Sequence, residues 1–158
     1  MLAALVLAGV VVVGLLGWRA FTEWRAQGDR EAALEAARSG TAAVLTYSSK
    51  TLDADLARAH AAIGGAFVTK FDAVTSSTIV PAARQQDLTS KATVLHAALL
   101  DDGGFDPTDR PDQQQALVFV NHATFVNNQP QPPAASSQLK VTMTRMNGEW
   151  LITDLRPL

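Results

Sequence analysis

The sequence predicts an α+β domain carried behind a single transmembrane helix, and three observations predict it. The last stretch, residues 138–155, QLKVTMTRMNGEWLITDL, alternates on both sides of Asn147-Gly148. That residue pair most readily takes up a two-residue type I′ turn, so the stretch reads as a β-hairpin. Upstream, apolar residues recur with helical spacing to about residue 86, and the period then shortens to that of strands. Residues 1–18, MLAALVLAGVVVVGLLGW, hold no charged side chain. Helices first and a meander afterwards give an α+β fold, with the helices on one face of a four-stranded antiparallel sheet.

Residues 1–21 form the expected transmembrane helix. About 18 apolar residues just span a bilayer core of ~30 Å, and Trp18, Phe21 and Trp24 suit an interfacial aromatic belt. A cleaved signal peptide is the competing reading, but a basic leader and a small-x-small cleavage site before Arg19 are both missing. Within the helix, Ala3, Val10, Gly14, Gly17 and Phe21 share one stripe. Small residues let helices approach closely, so the stripe is a candidate packing surface; the alternative is that glycine and alanine are simply common in spanning helices and the stripe carries no contact. Arg19, Arg25 and Arg30 by themselves favour a cytoplasmic C-terminal side, whereas large domains translocate largely regardless of charge.

Residues 22–47 read as a juxtamembrane helix, rich in Ala with Glu31, Leu34, Glu35, Arg38 and Val44, with weak points at Gly28 and Ser39-Gly40. The extracytoplasmic domain is expected over 48–158. Thr51 or Asp53 caps a short helix over about 54–63, which Gly64-Gly65 ends. A third helix begins near Ala66 and runs towards Gln86, with Pro81 kinking it or opening a new first turn. Residues 89–100 and 114–127 read as strands. Residues 101–112 form a polar connection, and 127–137, NNQPQPPAASS, an extended loop whose prolines exclude a central strand. In the final hairpin Arg145 faces Trp150, Met143 faces Ile152 and Val141 faces Asp154, which places Asp154 on the apolar side.

The net charge of −2 and pI of about 5.8 offer no basic surface for nucleic acid. The absence of cysteine excludes disulfides and thiolate chemistry. His60, His96 and His122 lack metal-ligand spacing, and the aspartates of 101–112 do not fit a calcium loop, so no metal or cofactor is expected. Two side chains are candidates for a pocket. His122 shares a strand face with Val118 and Val120, a setting that either tunes an imidazole or simply satisfies a core histidine. Asp154 is either a base on the apolar face or a rim residue reaching solvent.

The ordered combination of an apolar anchor, EAALEAARSG, TLDADLARA, Gly65-x-Phe67 with Phe71, ALVFVNHATFVNN and RMNGEWLITDL resembles the Mce-associated membrane proteins of mycobacteria and related actinobacteria. The resemblance covers nearly the whole chain. It implies a cone-shaped domain similar to nuclear transport factor 2 and to the periplasmic domain of a type IV secretion scaffold. It also implies a non-catalytic accessory subunit of a lipid or sterol importer, held in the plasma membrane with its C-terminal domain outside. Permease subunits, Mce proteins and membrane lipid would be its partners. A lipid-binding cone domain or enzyme is the alternative, and a secretion-system scaffold the further one.

Overall fold

The computed structural model describes residues 27–100 and 112–158. The chain divides into two compact units, Met1–Ala32 and Ala33–Leu158. Of the first, residues 27–32 are described and are helical; the expected transmembrane helix and its stripe Ala3, Val10, Gly14, Gly17 and Phe21 lie outside the described residues. No helix among the described residues is long and apolar enough to cross a membrane.

The second unit opens with helix α1, residues 33–45. Its buried positions, Ala33, Ala37, Gly40, Thr41 and Val44, repeat at helical spacing and form one face. Gly40 does not interrupt the helix. It is where the helix comes closest to the sheet, because a β-carbon there would stand 2.8 Å from Ile152 Cδ1. Strand β1 (Tyr47–Ser48) follows, then α2 (Leu52–Ala61). The buried carboxylate of Asp55 joins the two: it accepts from Ser48 N–H at 3.0 Å and Thr51 Oγ1 at 2.7 Å, and pairs with Arg58 at 3.1 Å.

The expected third helix is divided. Helix α3 (Ala66–Val74) passes into a π-helical turn (Thr75–Ile79) and then into α4 (Val80–Gln86), with Pro81 in the first turn of α4. Proline has no N–H to give back and its ring crowds the preceding turn. A single wide turn upstream accommodates both demands.

Strands β2 (Leu88–Leu99), β3 (Gln113–Val126), β4 (Gln129–Met146) and β5 (Glu149–Pro157) form an antiparallel meander, and β1 adds a fifth strand outside β2 where four were expected. Register shifts interrupt β2–β3 near Leu95, β3–β4 near Ala123 and β4–β5 near Thr153. Such irregularities bend and twist their strands, and the sheet curls. Its inner face carries Ala116, Val118, Val120, Leu139, Val141, Met143 and Ile152 against the buried faces of α1, α2 and α3.

Two expectations for the strands fail. Residues 127–137 are not a loop. Asn127 and Asn128, at φ 50 and 62, make a tight turn, and β4 begins at Gln129 opposite Val126. The prolines are tolerated because β5 reaches β4 only from Leu139 onwards. Positions 130, 132 and 133 therefore have one neighbouring strand, and a missing N–H breaks no second ladder. The final hairpin turns at Asn147-Gly148 and pairs Arg145 with Trp150 and Met143 with Ile152, but Val141 faces Leu155 rather than Asp154. The extra residue, Thr153, turns Asp154 onto the outer face opposite Thr142.

The outer edge of β5 is covered. Ile152 N–H donates to Ala62 O at 3.0 Å and Gly64 N–H to Ile152 O at 2.9 Å, a parallel bridge with Ile63.

Candidate functional site

Alternation along β3 places His122 on the inner face beyond Val118 and Val120, which are 0% and 1% exposed. There it meets Ser90. Its Nε2 lies 2.5 Å from Ser90 Oγ, and Ser90, 1% exposed, lies 2.7 Å from Leu45 O. A carbonyl only accepts, so the single hydroxyl proton goes to Leu45 and the serine oxygen accepts from His122 Nε2–H. Tyr47 is bonded to the same serine. Thr46 Oγ1 adds a bond from Ala92 N–H at 3.1 Å. The cluster is a clasp joining the end of α1 and β1 to β2 and β3, and the imidazole nitrogen facing it is already engaged.

Burial raises the Tyr47 pKa above 10.0, with the Ser90 bond opposing the rise. Tyr47 is the one tyrosine of the chain, so a phenolate absorbance titration reads it directly. The folded protein is expected to titrate above pH 10, and the denatured chain near it. The stability contributed by keeping this phenol neutral is fully present below pH 10 and is lost as pH rises through the folded value. A folded midpoint at or below 10 would contradict the geometry.

Asp154 sits elsewhere. With Lys140, Thr142, Thr144, Thr153 and Arg156 it lines a concavity of about 560 Å³ on the outer face, closed at one end by Gly65 and Ala66. Its Oδ2 is 2.5 Å from Arg156 Nε. His122 and Asp154 thus lie on opposite faces of the sheet, and the two candidate side chains do not converge on one substrate. A second hollow of about 370 Å³ lies between α1, α2 and the start of β5, lined by Ala36, Gly40, Ala43, Ala62 and Trp150. The Trp150 Nε1 donor is buried there and meets no acceptor among the described residues.

Sequence reasoning missed Ser90, Tyr47 and Lys140. Ser90 carries no motif, and its partners are 45 and 32 residues away in sequence. Lys140 was visible on the polar face of the hairpin, but its surroundings depend on the shift at Thr153.

A curled antiparallel sheet backed by helices on one face defines the class: an α+β domain. Solved structures share this fold. A periplasmic fragment of TraM superposes with a TM-score of 0.62 at 13% identity, covering 80% of this chain and 95% of that one. The periplasmic domain of DotI gives 0.64 at 13% identity, over 81% and 94%. An IcmL-like type IV secretion system protein from Legionella pneumophila gives 0.59 at 15% identity, over 79% and 88%. No family model matches the chain. Its sequence relatives include the uncharacterized protein Rv1362c of Mycobacterium tuberculosis, 35% identical over 98% of this chain and 69% of the relative. The outer membrane protein Rv1973 of the same organism is 31% identical over 100% of this chain and 94% of the relative. The chain belongs to the family of these mycobacterial proteins. These findings correct the expectation of a lipid-importer accessory subunit: the solved domains that share the fold are periplasmic parts of secretion machinery, and they favour the scaffold alternative.

Proposed function

We propose that this chain is a non-catalytic scaffold of the cell envelope, holding other proteins in a secretion-type assembly. The observation that carries the reading is the likeness to the periplasmic TraM fragment and DotI domain, of which this chain matches 95% and 94%. An envelope location is supported by those periplasmic domains and by the relative named an outer membrane protein. The separation of His122 and Asp154 onto opposite faces supports work done by surfaces rather than by reacting groups. The apolar stretch 1–18 would tether the domain, with the stripe through Gly14 and Gly17 as its contact inside the bilayer.

The test is extraction of the full chain from native membranes in mild detergent, followed by native mass measurement and identification of its companions. Other extracytoplasmic membrane proteins in fixed ratio are the expected result. A lone chain, or a lone chain carrying a lipid, would overturn the scaffold reading.

A further inference from the structure

We propose that the outer face of the sheet docks on an anionic lipid surface, with Leu95 and Phe119 entering the headgroup layer and Lys91 and Lys140 meeting phosphate groups beside them. The inference starts from where the exposed apolar side chains lie. Among the described residues the large hydrophobics left in solvent are Val74, Leu95, Leu100, Phe119 and Leu158. Val74 is on α3, and the other four gather on the sheet. Val118 and Val120 point into the core, so Phe119 between them points to the outer face. Its cross-strand neighbours there are His96 and Gln138. Leu158 N–H donates to Gln138 O at 3.0 Å, which sets Leu158 next in the same row. Leu95, the extra residue at the β2 shift, adjoins His96 and is 48% exposed. Leu100 N–H bonds Gln115 O at 2.8 Å, which places Leu100 on the same face beyond Leu117. A single exposed leucine is ordinary, but a gathering of large apolar side chains on one side marks an interaction surface.

Charge selects the partner. The chain as a whole has a net charge of −2, yet this face is basic. Lys140 lies opposite Leu117, Arg156 lies opposite Lys140, and Lys91, opposite Ala123, flanks the apolar row on its other side. Asp154 is the acid near them, and it is paired with Arg156. Glu149 stands at the hairpin tip opposite Met146, roughly 20 Å from Lys140 at ~3.4 Å per residue along β4. The same face on a second copy would bring cation against cation, an unfavourable pairing. An anionic surface meets the three cations with opposite charge.

Two arguments favour lipid over an acidic protein. Polar side chains interrupt the apolar row. Gln138 stands between Phe119 and Leu158, and Ser136 and Asn121, bonded at 2.7 Å, border it. Burying them against a dry surface would cost their hydration, whereas the headgroup layer accepts apolar side chains at the acyl boundary and keeps polar ones among polar groups. Lysine suits the same layer, because its stem lies along apolar surface while its ammonium reaches phosphate. The choice of lipid also rests on the tether of the proposed function: residues 1–18 in a bilayer would hold the domain beside lipid at high effective concentration.

The chain has no cysteine, so Leu95→Cys, Phe119→Cys and Val74→Cys each place one nitroxide label at a known position. The full chain is reconstituted in nanodiscs of phosphatidylglycerol with phosphatidylcholine, and in discs of phosphatidylcholine alone. Each label is then tested for collision with oxygen, which concentrates in lipid, and with a water-soluble nickel complex. On anionic discs the labels at 95 and 119 are expected to favour oxygen and the label at 74 to favour nickel. On phosphatidylcholine alone all three are expected to favour nickel. Lys91→Gln with Lys140→Gln should shift the docking equilibrium about thirtyfold towards the undocked form, the attraction of two basic side chains near an anionic surface. An unchanged thermal midpoint in that variant would show that the fold is intact. A label introduced by Val10→Cys reads the tether separately: a water-exposed position 10 would sink the tether alone, while lipid contact at 95 and 119 supports the docked face in either case. The proposal is overturned by labels at 95 and 119 that stay in water on anionic discs. It is equally overturned if they enter lipid to the same extent without the anionic lipid or the two lysines, or if both reagents are excluded as between two protein chains.

Discussion

Replacing Ile152 by alanine is expected to lower the unfolding free energy by about 3–5 kcal/mol, the upper part of the range for such truncations. Ile152 is fully buried and lies in the middle of β5. It faces Met143 across the hairpin, and its backbone is bonded on the other side to Ala62 and Gly64. Its side chain fills the space beside Gly40, which has none of its own to move into the void. Such a site collapses poorly, and the cost of truncation grows with the cavity left behind. Urea denaturation followed by circular dichroism measures the loss. A change below about 1 kcal/mol would show that α1 does not pack on β5 as described.

Ser90→Ala is expected to cost about 2–3 kcal/mol, far more than the small volume removed suggests. The hydroxyl serves Leu45 O, His122 Nε2 and Tyr47 at once. Its loss strands polar groups that were desolvated on folding, and an unmet buried partner costs more than a bond contributes. His122→Ala takes away only one spoke and is expected to cost less. A second readout separates the clasp from a simple packing defect. Burial is the main cause that holds the Tyr47 pKa above 10.0, so the phenol of the serine variant should still titrate above 10 where the tyrosine stays buried. A lower midpoint would mean that the tyrosine has come out to solvent.

The parts of the fold legible in the sequence were those decided locally. Asn147-Gly148 announces its own turn, with Asn147 at φ 53 and Gly148 at φ 89, and the pairs nearest it, Arg145 with Trp150 and Met143 with Ile152, follow by counting. Counting fails at Thr153, because nothing in the run Ile152-Thr153-Asp154 signals an extra residue. That one shift carried Asp154 from the inner face to the outer and with it half of the candidate site. The prolines of 127–137 misled for a related reason. They rule out a strand paired on both sides, but β5 is too short to reach them, a length that only the assembled sheet reveals. His122 was placed on the correct face by simple alternation, whereas Ser90 looked like any serine in a strand until the end of α1 came down on it.

The covered edge of β5 has a consequence for the order in which this domain is made. The C-terminal strand lies between β4 and residues 62–64 and packs against α1, so the first helix of the unit and its last strand close the same core. Everything before residue 149 leaves that core open on one side during synthesis. Contacts between residues more than a hundred positions apart in sequence form late and slowly. The core therefore closes only once β5 is available to pair, and removing that strand should leave a collapsed, sticky intermediate rather than a smaller folded protein.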